Sequence, residues 1–164
     1  MLKWVWLSVV VIFLDQLTKW MVNANVELYE KLPVMPHLNL TLSYNTGAAF
    51  GFLNDQGGWQ QIFFTVLALA VSGYILYWLK QLKENERWTS IGLALVLGGA
   101  IGNLIDRILQ EKVTDFIDFY IDWDVFFLSN GHFATFNVAD IAIAVGAGLL
   151  VIISLFTKDE EQVK

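Results

Sequence analysis

Asp115 and Asp140 lie beside long apolar segments and are the most informative residues of the chain. Asp140 stands at the start of an uncharged run, residues 141–157, and Asp115 lies in the connection that leads to this run. A carboxylate at a membrane boundary is costly unless it is paired, hydrated or used. If the fold brings both to one side of a bilayer, they predict acid–base chemistry on a group held in the membrane.

The apolar segments predict the elements that must position these carboxylates. The chain has 164 residues and is 56% hydrophobic, whereas an ordinary soluble domain is about 45–50% apolar. A membrane-spanning helix needs about 20 largely apolar residues, and the sequence holds four such segments. We therefore predict an all-α membrane protein, with residues 1–164 forming a single membrane domain. The spans are predicted at about residues 4–22, 59–79, 88–107 and 137–157.

The basic residues outside the spans predict the orientation. The long connections, residues 23–58 and 108–136, contain only Lys31 and Lys112. The others lie in the termini and the short link 80–87: Lys3, Lys80, Lys83, Arg87, Lys158 and Lys164. Because Lys and Arg are enriched on the cytoplasmic side, both termini and this link are predicted to be cytoplasmic. The two long connections would then face outward.

The two outer connections have different patterns. Residues 37–44 alternate apolar and polar side chains, which predicts a half-buried strand within a small β-sheet. The following Asn45-Thr46-Gly47 predicts the turn that ends it. Residues 116–127 mix aromatic and acidic side chains, which predicts an interfacial segment, but the pattern leaves helix and strand both open.

On this topology the polar residues of the spans gather at their outer ends. They are Asp15, Gln16, Thr18, Lys19, Asn103, Asp106, Arg107, Asn137 and Asp140. A transporter would spread such groups across the bilayer midplane, so the one-sided set favours a site at the outer leaflet. A small transporter or proton-linked channel is the alternative function, and a non-enzymatic scaffold is a third.

Several polar residues also have a structural explanation. Lys19 follows Asp15, and Arg107 follows Asn103, by four positions on one helix face. Ion pairs within or between the helices would neutralise charges at the boundary. Asn137 could be a helix N-cap. Solvation would explain the acids Asp115, Asp118, Asp122 and Asp124. A surface position would explain His37 and His132. Close helix packing would explain Gly98, Gly99 and Gly102.

Composition excludes several kinds of chemistry. The chain has no cysteine and only two histidines, so it offers no thiol nucleophile and no convincing zinc site. We expect no metal and no cofactor. The net charge of −6 is spread through loops and tail, and we therefore expect no nucleic-acid partner.

Five stretches of the chain together resemble the lipoprotein signal peptidase family, signal peptidase II. They follow the family's order across nearly the whole chain: Asp15-Gln16-Leu17-Thr18-Lys19, Asn45-Thr46-Gly47-Ala48-Ala49-Phe50, residues 98–107, Val113-Thr114-Asp115-Phe116 and Phe136-Asn137-Val138-Ala139-Asp140. No functional position departs from the family's pattern. Residues 120–134 match no motif of the family.

The resemblance implies an aspartic endopeptidase of the bacterial inner membrane, acting on prolipoproteins whose cysteine carries diacylglycerol. It implies Asp115 and Asp140 as the catalytic pair. The supporting residues that it implies are Asp15, Lys19, Asn45, Gly47, Asn103, Arg107 and Asn137. The expected partners are these substrates and membrane lipids, and we expect a monomer.

In such an amide hydrolase, two close carboxylates can share a proton, because like charges at short range do not both ionise easily. The ionised carboxylate takes a proton from water, and the protonated one polarises the carbonyl and protonates the leaving amine. The sequence does not distinguish which of the two aspartates is the base.

Overall fold

The computed structural model describes residues 1–47, 59–121 and 131–161, with side chains to residue 156. A single 3-10 turn, Leu2–Trp4, leads into helix α1. The four helices are α1 (Val5–Asn25), α2 (Trp59–Gln81), α3 (Arg87–Gln110) and α4 (Val138–Glu161). The three strands are β1 (Lys31–Met35), β2 (Leu38–Asn45) and β3 (Val113–Phe119).

All four helices are long and apolar enough to cross a membrane. The surfaces of α1, α2 and α4 are largely exposed on the protein itself, as expected for side chains that face lipid, whereas more than half of α3 is buried. The predicted fold, four apolar helices with a small sheet, is therefore confirmed. The helices extend up to three residues beyond the predicted ends of the first three spans, and α4 begins one residue later.

Helix α3 is the central helix, and it packs against α1, α2 and α4. Small residues allow the close contacts, as the sequence predicted. A Cβ atom at Gly98 would lie 2.7 Å from the Cβ of Val11 on α1, and one at Gly102 would lie 2.7 Å from Asp15 Oδ2. These glycines therefore let α1 approach α3 until the polar groups of the two helices touch.

The sheet has the order β1-β2-β3, and both pairs are antiparallel. Strand β2 confirms the strand predicted from alternation, shifted by one residue. The second long connection begins as a strand, which resolves the open choice for residues 116–119. Residues 122–127 of that predicted segment, including Asp122 and Asp124, lie outside the described residues.

A small apolar core fixes the sheet to the end of α1. Val22 of α1 and Val26, which directly follows α1, pack with Leu42 of β2 and Phe116 of β3, and all four are buried. Because β3 is held on both sides, by β2 and by α1, its side chains have defined positions. Asp115 is therefore not a solvated loop acid, since it is buried in β3.

The solvated position predicted for Asp118 is also wrong. Its side chain is only 3% exposed, because it accepts hydrogen bonds from Asn39 of β2 and His132. A buried carboxylate on a strand looks like a surface position in the sequence, since alternation is judged from polarity alone.

Candidate active site

Asp115 and Asp140 lie at the same end of the helix bundle, and both line one cavity. Asp115 comes from β3, and Asp140 lies in the first turn of α4. Asn137 joins them. Its side-chain amide donates to Asp115 Oδ1 at 2.7 Å, and its backbone N–H donates to Asp140 Oδ2 at 3.2 Å. Its own Oδ1 accepts the N–H of Asp140 at 2.9 Å, so the predicted helix cap is also part of the site.

Three asparagines direct their NH₂ groups at the two carboxylates. Asn45 Nδ2 donates to Asp115 Oδ2 at 3.2 Å, and Asn103 Nδ2 donates to Asp140 Oδ1 at 2.8 Å. Asn137 is the third.

Fixed donors hold these amides in that orientation. The Asn45 carbonyl accepts the backbone N–H of Gly47 at 2.9 Å. The Asn103 carbonyl accepts from Lys19 Nζ at 2.9 Å, and the Asn137 carbonyl accepts from Asp140. Because an ammonium and a backbone N–H can only donate, a flipped amide would place donor against donor. The site therefore stabilises negative charge on the pair.

Burial, together with the negative charge of Asp140, raises the pKa of Asp115 to about 7. Hydrogen bonds from Asn45 and Asn137 and the charge of Lys19 act in the opposite direction. A pair in which one carboxyl keeps its proton near neutral pH, beside a second carboxylate, can supply an acid and a base together.

A second buried polar cluster lies beside the pair, between α1 and α3. Lys19 Nζ is 2.8 Å from Asp15 Oδ2 and 3.0 Å from Asp106 Oδ2. Asp15 Oδ1 accepts the N–H of Ala139 on α4, and Asp106 Oδ2 accepts the N–H of Thr114 on β3. The predicted ion pairs therefore exist, and they also anchor the two segments that carry Asp140 and Asp115.

Arg107 has a different role from the predicted ion pair. Its guanidinium donates to the carbonyl oxygen of Gly47 at 3.1 Å, and the residue lines the cavity. Gln61 of α2 donates to the neighbouring carbonyl of Thr46 at 2.6 Å. Together they hold the turn that presents Asn45 to Asp115.

The cavity has a volume of about 750 Å³. Its polar end contains the aspartate pair, and its other walls are apolar. α2 packs on α3, whereas α4 packs on α3 and α1, so the cavity lies between α2 and α4. The apolar walls are formed by Phe64, Leu67, Ala68, Val71, Val96, Ala100, Ile141, Ile143, Ala144 and Val145.

Comparison with known families gives the match that decides the assignment. The family model described as Signal peptidase (SPase) II matches residues 7–156. The chain belongs to the signal peptidase II family. It is therefore a peptidase and a multi-pass membrane protein.

Relatives in the signal peptidase II family match nearly the whole chain. Proteins named lipoprotein signal peptidase from Coxiella burnetii and Hydrogenovibrio crunogenus are 50% and 49% identical, over 94% and 97% of this chain and 90% and 88% of their own. The protein of that name from Photorhabdus laumondii is 44% identical, over 99% of this chain and 93% of its own.

Two solved structures have the same fold. They are described as a bacterial membrane enzyme, solved by the in meso method at 2.3 Å and at 1.9 Å resolution. Both are 29% identical to this chain and are covered over 92% of their length, with TM-scores of 0.82 and 0.77. They cover 99% and 93% of this chain.

Every site residue that the sequence pointed to in this signal peptidase II chain lies at one end of the bundle. Asp115, Asp140, Asn45, Asn103 and Asn137 form the central network, with the Lys19 cluster and Arg107 around it. Sequence reasoning missed Gln61. The signal was present, because Gln60 and Gln61 are polar residues at the beginning of an otherwise apolar span.

Proposed function

We propose that the protein is an aspartic endopeptidase of the bacterial inner membrane that removes the signal peptide from diacylglyceryl-modified prolipoproteins. It would cleave on the amino side of the lipidated cysteine. The observation that carries this proposal is a buried pair of carboxylates, surrounded by amide donors, at the polar end of an apolar cavity. The names of the relatives support the substrate class.

In the proposed mechanism, Asp140 is the base and Asp115 is the acid. With its pKa raised to about 7, Asp115 keeps its proton below neutral pH and loses it above. Asp140 takes a proton from water, and the water oxygen attacks the scissile carbonyl while the Asp115 proton polarises its oxygen. When the tetrahedral intermediate collapses, the C–N bond breaks and a proton passes to the leaving amine.

The side chains around the pair would hold the substrate and the developing charge. Arg107 lines the cavity, and its Nε–H is buried without a partner among the described residues. We expect this N–H to donate to a substrate carbonyl, because a buried donor left unsatisfied is costly. Asn45 also lines the cavity, where its NH₂ group contacts Asp115, and it would donate to the oxyanion.

The apolar cavity gives the lipid and the signal helix a place beside the pair. In this proposal acyl chains lie against the apolar walls, and the signal helix occupies the bilayer between the spans. The predicted orientation, with both termini cytoplasmic, would place the pair at the outer surface. The one-ended polar set and the peptidase family together disfavour the small transporter or proton-linked channel.

Removal of the lipid from the substrate is expected to weaken cleavage strongly. A large apolar surface would no longer be buried in the cavity, and each CH₂ contributes about 0.8 kcal/mol. The measurement compares kcat/KM for two synthetic prolipoprotein peptides of one sequence, with and without the diacylglyceryl group, in the same detergent. Equal cleavage of both peptides would remove the lipid from the recognition mechanism.

Cleavage is expected to fall as the pH rises above about 7. The raised pKa of Asp115 means that the pair keeps its proton below this value and loses it above. Without that proton no acid is available for the leaving amine, so kcat should decline about tenfold per pH unit on the alkaline side. The apparent pKa belongs to the coupled pair.

Initial rates measured from about pH 5 to about pH 9 would test this. The thermal unfolding midpoint, recorded at each pH, controls for loss of folded protein. A rate that stays constant or increases on the alkaline side would contradict the proposed acid.

A further inference from the structure

A buried carboxylate outside the aspartate pair links all four extended segments of the outer sheet. Asp118 Oδ2 accepts from Asn39 Nδ2 of β2 at 3.0 Å and lies 3.4 Å from Lys31 Nζ of β1. Its other oxygen, Oδ1, is 2.7 Å from His132 Nδ1. One polar cluster is therefore formed by Asp118, Asn39, Lys31 and His132. A single charged group thus joins β1, β2 and β3 to the segment 131–136.

The segment 131–136 runs beside β3 as an additional short extended piece. Phe136 exchanges backbone hydrogen bonds with Ile117, and Phe133 N–H donates to the carbonyl of Phe119. His132 bridges to Tyr120. Residues 133–136 line the cavity next to Asp115 and Asp140. The segment is therefore the outer wall of the cavity.

Side-chain anchoring of this wall is concentrated at His132. Phe136 leads directly into α4, where Asn137 holds its own place through bonds to Asp115 and Asp140. Among the described residues, the charged side-chain contacts at the opposite end of the wall are those of His132 with Asp118 and Lys31. Losing the contact with Asp118 would shift the wall without disturbing the amides around the pair.

The chemistry of the contact is well defined. The pKa of Asp118 is lowered, because hydrogen bonds from Asn39 and His132 and the charges of Lys31 and His132 outweigh its burial. The carboxylate is therefore an acceptor, and His132 Nδ1–H is the donor. The other groups facing His132 are Lys31, whose Nζ lies 3.5 Å from its ring nitrogens, and the ring of Tyr120.

We propose that His132 is a positioning residue, which holds the outer wall of the cavity against the sheet through Asp118 and so sets the affinity for substrate. The proposal rests on the proposed function, since the wall is taken to contact the prolipoprotein. It differs from the role of Asp115 and Asp140, because His132 acts on binding and not on the chemical step.

Three variants of His132 test this with the lipidated peptide. His132→Leu removes the donor and is expected to raise KM roughly tenfold, the effect of losing a hydrogen bond to a charged group. Its kcat should stay within about twofold, the pattern of a lost uniform binding interaction. His132→Asn keeps an N–H close to the position of Nδ1 and should restore most of the affinity.

His132→Gln is the matched control, because its amide lies farther out, near the position of Nε2. It should show the raised KM that is expected for His132→Leu. It therefore provides the test even if the leucine variant does not fold. An unchanged KM in His132→Leu, or equal KM values for the asparagine and glutamine variants, would overturn the proposal. A kcat that falls while KM rises would also overturn the proposal.

Failure of the proposed function would give a different result. The wild-type protein would then not cleave the lipidated peptide, whatever the residue at position 132. A wild-type enzyme that cleaves, together with a His132→Leu variant that binds the peptide normally, would reject only the role of His132.

Discussion

Asp140→Asn and Asp115→Asn are each expected to lower kcat for the diacylglyceryl peptide by at least about 10³-fold. Asparagine cannot take a proton from water, and it cannot deliver one to the leaving amine. Each change therefore removes one of the two carboxyl groups that share the proton. The protein should still fold, because the substitution is close in shape and removes one of two adjacent negative charges.

The double variant, with asparagine at both positions, is expected to be no slower than either single variant. Groups that act as one unit lose their whole contribution when one member is lost. Cleavage by purified protein in detergent measures kcat, and the thermal unfolding midpoint confirms the folded state. Glu27→Gln is the matched control, since it neutralises an exposed acid on the connection that follows α1.

Near-normal turnover by either folded variant would defeat the aspartate pair as the catalyst. A hundredfold loss in the Glu27→Gln control would show instead that any lost outer charge impairs the assay. The two outcomes are distinguishable because Glu27 is exposed, whereas Asp115 and Asp140 line the cavity.

The helices and strand β2 could be predicted because their signals are local. Long uncharged runs require a lipid-facing helix, and alternation over residues 37–44 requires a strand with one buried face. Strand β3 could not be predicted in the same way. Asp115 and Asp118 are both buried in it, on opposite faces, and each is stabilised by partners far away in sequence.

The two carboxylates of the site were predictable from the free-energy cost of placing a charge beside an apolar span. Their contacts were not predictable. Asn137 touches Asn103, Thr114 and Asp115, and these contacts exist only after α3, β3 and α4 have packed. Gln61 shows the same limit, because its partner Thr46 lies on another connection. Residue type indicates that a buried polar group needs a partner, and the tertiary fold decides which one.

Lys19→Met is expected to destabilise the protein strongly. It is also expected to lower the kcat of the protein that remains folded. Lys19 is 2% exposed and contacts two carboxylates and the carbonyl of Asn103. Removing one partner from a buried ion pair costs about 3–5 kcal/mol, because the remaining charge is left uncompensated. Thermal unfolding in detergent measures the loss.

The effect on turnover has a separate cause. Lys19 is the charged donor that keeps the Asn103 carbonyl turned away from Asp140, so that the NH₂ group faces it. Without Lys19 this orientation keeps only the neutral donor Asn137 among the described residues, and in the flipped orientation Asp140 would meet a carbonyl oxygen. The folded Lys19→Met protein should therefore show a kcat roughly tenfold to a hundredfold below wild type.

A double variant, Lys19→Met with Asp15→Asn, separates the two causes. It carries one negative charge in the cluster fewer than Lys19→Met, which restores the net charge of the wild type. We expect the unfolding midpoint to recover in part, while kcat stays low because nothing new contacts the Asn103 carbonyl. If turnover recovered together with stability, Lys19 would be a counter-charge alone, and the orientation of Asn103 would have to be set by Asn137, whose NH₂ group lies 3.1 Å from the same oxygen.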